Sequence, residues 1–115
     1  MTAWFLSSED VLITDFQGQL IRLTTQQWDH IVGRHGYMER MQSEVRETLE
    51  DPEEVHKSII SPNSSRLYYR WYTATEKGEK WMCVVVKFLA DGAFISTAYV
   101  TDRIKAGDLI WQKEY

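Results

Sequence analysis

Cysteine is almost absent from this sequence, and its absence excludes two kinds of small protein. Cys83 is the sole cysteine, so the chain cannot form an internal disulfide, and this residue has no cysteine partner for a zinc site. Long apolar runs are also missing, since no stretch approaches the roughly 18 residues of a membrane span, and the N-terminus lacks the pattern of a signal peptide. These absences predict a cytoplasmic protein with no membrane partner.

Positive charge is in short supply as well. The chain has 13 lysines and arginines against 17 aspartates and glutamates, which gives a net charge of -4 at pH 7 and a pI near 5.3. This balance speaks against a protein that simply coats nucleic acid, although it leaves room for a local basic patch. Hydrophobic residues make up 43% of the 115 residues, which suffices for one packed core but not for two. We therefore expect a single domain over residues 1–115.

The first half of the chain carries the signals of two short strands and two helices. Thr24 and Gln27 have the spacing of a capping box, which predicts the start of a helix, and Gly36 is the expected C-terminal stop. The second helix is expected to end before Pro52, because the residue preceding a proline is pushed out of the helical conformation. The predicted elements are strands at 11–16 and 19–23 and helices at 25–35 and 39–50.

The second half is rich in β-branched and aromatic residues, which favour strands. The C-terminal residues 104–115 are compatible either with a short strand or with an ordered tail. The predicted strands cover 56–60, 66–73, 81–89 and 94–101. We expect an α+β fold in which N-terminal short strands and two helices pack on a four-stranded antiparallel sheet.

Turn residues set the expected pairing of these strands. Ala90-Asp91-Gly92 suits a three-residue turn with glycine in the left-handed conformation, and Lys77-Gly78 suits a two-residue turn. Because side chains alternate between the two faces of a sheet, each register decides which residues share a face. The expected pairs are Lys87 with Ile95, Val85 with Thr97, Cys83 with Tyr99, Arg70 with Val85, and Tyr68 with Lys87. The predicted polar face carries Arg66, Tyr68, Arg70, Tyr72, Lys87, Thr97 and Tyr99.

Two histidines and an arginine lie close together near the end of the first predicted helix. At about 100° per residue, His35 falls on the apolar stripe and should end it, whereas His30 and Arg34 form an i, i+4 pair nearer solvent. A histidine in the position of His35 is often purely structural, because it interacts favourably with the negative end of the helix dipole. A spacing of five does not place both histidines on one helical face, so no metal site is predicted.

Taken together, these residue types suit phosphodiester cleavage without a metal or another cofactor. Cations such as Arg70 and Lys87 can hold and neutralise phosphate, and a tyrosine such as Tyr68 can stack on an unpaired base. Histidine transfers protons near neutral pH, and the hydroxyls of Thr97 and Tyr99 can donate hydrogen bonds to a phosphate. The chain has neither a glycine-rich phosphate loop nor a nucleophile elbow.

Five short motifs in order resemble the phage- and toxin-associated nuclease domains of the barnase–EndoU–colicin–RelE-like (BECR) group. They are His-Ile-Val-Gly-Arg-His at 30–35, Asp-Pro at 51–52, Arg-Leu-Tyr-Tyr-Arg at 66–70, Val-Val-Val-Lys at 84–87 and Ile-Ser-Thr-Ala-Tyr at 95–99. The resemblance covers about residues 25–105 and implies a metal-independent ribonuclease fold. It implies that His35, or alternatively His30, transfers protons, while Arg70, Thr97 and Tyr99 complete the catalytic set. Substrate contacts are then expected from His30, Arg34, Tyr68 and Lys87.

Two other hypotheses remain open. The chain could be a catalytically inactive member of the same fold that binds RNA, a protein partner or a second copy of itself. Trp4 and Trp111 near the termini favour an interface, because aromatic residues are enriched there. Alternatively, the histidine cluster only finishes a helix, and replacing His35 would then cost stability and nothing else.

Overall fold

The computed structural model describes residues 10–105 and 107–115, and these residues form the α+β fold that the sequence predicts. Trp4, one of the two tryptophans expected at an interface, lies outside the described residues. None of the helices in the described ranges is long and apolar enough to cross a membrane. In chain order the elements are β1 (Val11–Thr14), β2 (Leu20–Leu23), α1 (Thr25–Arg34), a 3-10 helix (Gly36–Arg40), α2 (Gln42–Glu50), β3 (Glu54–Lys57), β4 (Ser65–Thr75), β5 (Gly78–Leu89), β6 (Gly92–Thr101) and β7 (Leu109–Gln112).

The predicted four-stranded antiparallel sheet is wrong, because the strands form one seven-stranded mixed sheet in the order β1-β2-β6-β5-β4-β3-β7. The N-terminal hairpin joins the sheet through β2, which runs parallel to β6 and pairs Ile21 with Ala93. At the other side β7 pairs antiparallel with β3. Both additions cover strand edges that would otherwise leave backbone groups unpaired. Local patterns find the strands but not these long-range pairings.

Helix α1 begins where its capping signal places it. The Thr24 hydroxyl accepts a hydrogen bond from the Gln27 amide at 3.0 Å. The Gln27 side chain does not return to Thr24 but donates to the carbonyl of Ser96 on β6. Helix α1 ends at Arg34 with His35 as its C-cap, so it stops before Gly36 as predicted. Gly36 itself has no positive φ and begins the 3-10 helix, which delays α2 to Gln42. Asp51 caps the C-terminus of α2, as expected for a residue that precedes proline.

The two faces of the sheet carry separate apolar clusters. The larger cluster packs the buried side chains of both helices, such as Ile31 and Val45, against β-strand residues that include Val84. The smaller cluster lies on the opposite face around Tyr69, and Ile104 from the chain beyond β6 packs on it. The sheet is therefore covered by helices on one face and partly by the chain that leads to β7 on the other.

The pairing of β5 with β6 is partly as predicted. Val85 pairs with Thr97 and Cys83 with Tyr99, as expected. The turn prediction is wrong, since only two residues separate Leu89 from its partner Gly92, and Lys87 therefore faces Phe94 instead of Ile95. A bulge between Val85 and Val86 places Ser96 as an extra residue on β6, and this bulge restores the predicted register further along.

The predicted pairing of β4 with β5 is wrong, and the error assigns every β4 side chain to the wrong face of the sheet. Arg70 faces Met82 and Tyr68 faces Val84, three residues away from the predicted partners. The turn lies one residue earlier, between Thr75 and Gly78, which alone moves the pairing by two. An irregularity between Tyr72 and Thr75 moves it by one more. Because the total is odd, the β4 side chains exchange faces.

Candidate functional site

A cleft lies where the C-terminal end of α1 meets the outer edge of β6. Strand β2 pairs only with the beginning of β6, so the β6 backbone beyond it needs other partners. Gln27 supplies one of them by donating to the Ser96 carbonyl, and the Tyr37 hydroxyl accepts a hydrogen bond from the Val100 amide at 3.1 Å. These two contacts fix α1 and the 3-10 helix along the edge of the sheet and leave a cleft between them.

The cleft has a volume of about 390 Å³ and brings together five of the eight residues that were predicted for the site. No described residue of its lining carries a carboxylate, although the chain as a whole is acidic. The residues around the cleft are Gln27, His30, Arg34, His35, Ser96, Thr97 and Tyr99.

His35 occupies the end of α1 with its imidazole against β6. Its ring centroid lies 5.9 Å from that of Tyr99 and 5.8 Å from that of Tyr37. Burial and the neighbouring charge of Arg34 both lower the pKa of His35 below its usual value. The imidazole is therefore mainly neutral at pH 7, in the form that can accept a proton.

Tyr99 adds a donor beside this imidazole, and a lysine from the chain beyond β6 adds a charge beside the Tyr99 ring. Burial raises the pKa of the Tyr99 hydroxyl, which consequently stays protonated and can donate a hydrogen bond. The Lys105 ammonium lies 4.7 Å from the centroid of the Tyr99 ring. No sequence pattern points to Lys105, because only the path of the chain across the sheet brings it there. The nearby Cys83 thiol is buried, which raises its pKa to about 11 and leaves it unreactive at neutral pH.

Arg70 does not reach the cleft, and the expectation that it shares a face with Thr97 and Tyr99 is wrong. The shifted register places it on the helix-facing side of β4. Its guanidinium donates to the Asp51 carbonyl at 2.7 Å and to the Asp51 carboxylate at 3.0 Å. Arg70 thus ties the C-terminal end of α2 to the sheet through one of its terminal nitrogens, away from the cleft.

Tyr68 and Lys87 are also outside the cleft. The Tyr68 side chain has no solvent exposure, and its hydroxyl donates to the Asp15 carboxylate at 2.7 Å. Tyr68 was expected to stack on a base at a site that includes Thr97. It cannot do so, since Tyr68 and Thr97 lie on opposite faces of the sheet. Lys87 shares the face of Thr97 but pairs with Phe94 and Ser65 beyond the end of the cleft.

Within residues 10–105 and 107–115, no group of three histidine, cysteine, aspartate or glutamate side chains is placed to hold a metal ion. Comparisons of the chain with protein-family models, with curated proteins and with solved structures find no significant match. The resemblance to BECR nucleases therefore stays a prediction from the quoted motifs.

Proposed function

We propose that the cleft between α1 and β6 cleaves RNA by general acid–base chemistry that needs no metal ion. The observation that carries the proposal is the convergence of two imidazoles, a guanidinium and three hydroxyls in one cleft without a carboxylate. A phosphodiester is an anion, so a site of this composition attracts it. The chain as a whole is acidic, but no carboxylate in the described lining repels the phosphate inside the cleft. The same composition gives little to a neutral or cationic substrate.

His35 acts as the general base of the proposed reaction. Its lowered pKa supplies a neutral imidazole at pH 7, which removes the proton from a ribose 2′-hydroxyl. The 2′-oxygen then attacks the adjacent phosphorus, a 2′,3′-cyclic phosphate forms, and the bond to the 5′-oxygen of the next nucleotide breaks. The departing oxygen receives a proton from His30, the second imidazole of the cleft.

The remaining residues of the cleft bind the phosphate. Arg34 neutralises part of its charge, while the hydroxyls of Thr97 and Tyr99 donate hydrogen bonds to its non-bridging oxygens. Lys105, beside the Tyr99 ring, adds a second positive charge as the phosphate becomes more negative in the transition state. Arg70, Tyr68 and Lys87 are not part of this mechanism, because none of them lines the cleft.

The test is cleavage of a single-stranded RNA oligonucleotide in EDTA by the wild-type protein, His35→Ala and Arg70→Gln. Arg70→Gln is the matched control, since both residues were predicted for the site and only His35 lies in the cleft. We expect His35→Ala to lower the rate by about 10²–10⁴-fold. Arg70→Gln should retain the wild-type rate once the folded fraction, measured by circular dichroism, is taken into account.

Three results would contradict the proposal. The first is cleavage that His35→Ala leaves unchanged, which would mean that His35 only ends helix α1 and has no role in catalysis. The second is cleavage of an oligonucleotide of the same sequence in which every sugar is 2′-deoxy, since that strand has no nucleophile. The third is the absence of cleavage by the wild-type protein, which would favour the hypothesis of an inactive member that only binds.

A further inference from the structure

A second cleft, separate from the one around His35, lies between the turn of the N-terminal hairpin and strands β3, β4 and β7. Its volume of about 450 Å³ falls within the range of roughly 300–1,000 Å³ that is typical of small-molecule sites. No described residue lines both this cleft and the one around His35. The described lining residues are Phe16, Gln17, Val55, Lys57, Pro62, Asn63, Ser64, Ser65, Arg66, Tyr68, Phe88, Ile110 and Trp111.

Aromatic rings form the floor of the second cleft and are held in place by their neighbours. The Phe16 and Trp111 rings lie 4.4 Å apart between centroids, and Phe16 meets the edge of Tyr68 at 6.0 Å. The backbone around Phe16 is fixed, because its amide donates to the Leu49 carbonyl at 3.0 Å. The preceding residue, Asp15, is buried, and its carboxylate accepts four hydrogen bonds. Trp111 remains partly exposed, so its ring offers a prepared surface for a planar ligand.

The charge of this cleft is opposite to that of the chain. The chain has a net charge of -4, yet the described lining contains two cations, Lys57 and Arg66, and no carboxylate. The Arg66 guanidinium lies 4.8 Å above the centroid of the Phe88 ring. Neither cation takes part in an ion pair with another described residue, so both charges are available to an anion.

Polar groups on the rim complete the site. Asn63 and Gln17 are both exposed and present amide groups that can donate to and accept from a heterocycle. The turn that carries Asn63 is anchored, since the Phe88 amide donates to the Ser64 carbonyl at 2.6 Å. The rings, cations and amides of the lining therefore suit a ligand that has a flat heterocycle at one end and a negative charge at the other.

We propose that the second cleft binds a nucleotide, with the base on the rings of Trp111 and Phe16 and the phosphate against Arg66 and Lys57. The described lining holds no histidine, cysteine or carboxylate, and nucleotide binding there does not depend on cleavage in the first cleft. A free nucleotide and a nucleotide unit of an RNA strand share this chemistry.

The test is titration of the protein with adenosine monophosphate, followed by heteronuclear NMR of the backbone amides. Adenosine and inorganic phosphate are titrated separately, because each carries only half of the recognised groups. We expect saturable shifts in the turn at 61–65 and in β7, with adenosine and phosphate each binding at least about ten-fold more weakly than the nucleotide. Tighter binding of a short oligoadenylate than of the monophosphate would identify a strand as the source, and equal or weaker binding a free nucleotide.

Two substitutions separate the proposed contacts. Arg66→Gln should weaken adenosine monophosphate by about ten-fold or more and leave adenosine unchanged, because only the phosphate contact is lost. Arg103→Gln is the matched control, since it removes the same charge from an exposed arginine that does not line the cleft, and it should alter neither affinity. The proposal is overturned if nothing saturates up to about 10 mM, if Arg66→Gln has no effect, or if the shifts appear around His35.

Discussion

Replacement of Tyr68 by phenylalanine tests the face to which the structure assigns β4. The substitution removes one hydroxyl and leaves the ring in place. That hydroxyl donates to the Asp15 carboxylate at 2.7 Å, and the exposed fractions of the two residues are 0% and 5%. A hydrogen bond to a charged group contributes about 1.5–3 kcal/mol to stability. Asp15 keeps the amides of Gln17 and Gln19 at 3.0 and 2.8 Å, so it is not left without partners and the lower half of that range applies.

We therefore expect Tyr68→Phe to lower the free energy of unfolding by about 1.5–2 kcal/mol, which corresponds to a decrease in Tm of about 5–10 °C for a chain of this size. Urea and thermal unfolding followed by circular dichroism measure both quantities. Tyr72→Phe is the matched control, because its hydroxyl donates to Glu47 in an exposed pair and should contribute less than about 1 kcal/mol.

The outcome also decides between two roles for Tyr68. If the residue is structural, RNA cleavage at equal folded concentration should be unchanged in Tyr68→Phe. A Tyr68→Phe variant that loses no more stability than Tyr72→Phe would refute the reasoning, since the Tyr68 hydroxyl would then not donate to Asp15 in the interior. A double-mutant cycle with Asp15→Asn would show a coupling energy only if the two side chains interact.

Two further predictions concern a charge and a glycine. Arg34→Gln should raise the pKa of His35, measured by NMR titration, because one of the two causes that lower it is removed; the acid limb of the pH–rate profile should move to higher pH with it. In the wild type the lowered pKa of His35 means that the folded state binds fewer protons than the unfolded state. The contribution of His35 to the free energy of unfolding is therefore present above pH 6.5 and lost as the pH falls. Gly107→Ala should lower the free energy of unfolding by about 1–3 kcal/mol or more, since φ is +146° and the added Cβ would lie 2.3 Å from the Lys57 carbonyl oxygen. Gly36→Ala, where φ is not positive and nothing lies within 4 Å, should by comparison be close to neutral in the same thermal unfolding experiment.

Local signals were sufficient for α1 and for the residues that it brings to the cleft. The Thr24 cap and the helical period fix the directions of His30, Arg34 and His35 relative to one another, and all of this information lies within about a dozen residues of sequence. The approach of α1 to β6 could not be predicted in this way. It depends on a long-range contact in which Gln27, expected to complete the cap, bonds to the edge of β6 instead.

The positions of the strands could be predicted from the sequence, but the face of the sheet that each side chain joins could not. Near Gly92 a turn error of one residue was cancelled by the bulge at Ser96, so Thr97 and Tyr99 have the predicted partners. Near Gly78 the turn error and the irregularity add up to an odd number, and β4 is turned over. Neither the bulge nor the irregularity has a signature in the sequence, although each decides which of two faces a side chain joins.

The parity of β4 changes the chemistry that can be proposed for this protein. With Arg70 tied to Asp51, the positive charges near the first cleft come from Arg34 and Lys105, outside the central strands. Both positions are exposed, so a phosphate there is bound from the rim of the cleft and remains partly solvated. Such a site holds a phosphate weakly by itself and gains affinity when other parts of an extended strand make contact at the same time. The arrangement is therefore better suited to a polynucleotide than to a small phosphate ester, which supports the proposal that the His35 cleft acts on a nucleic-acid strand.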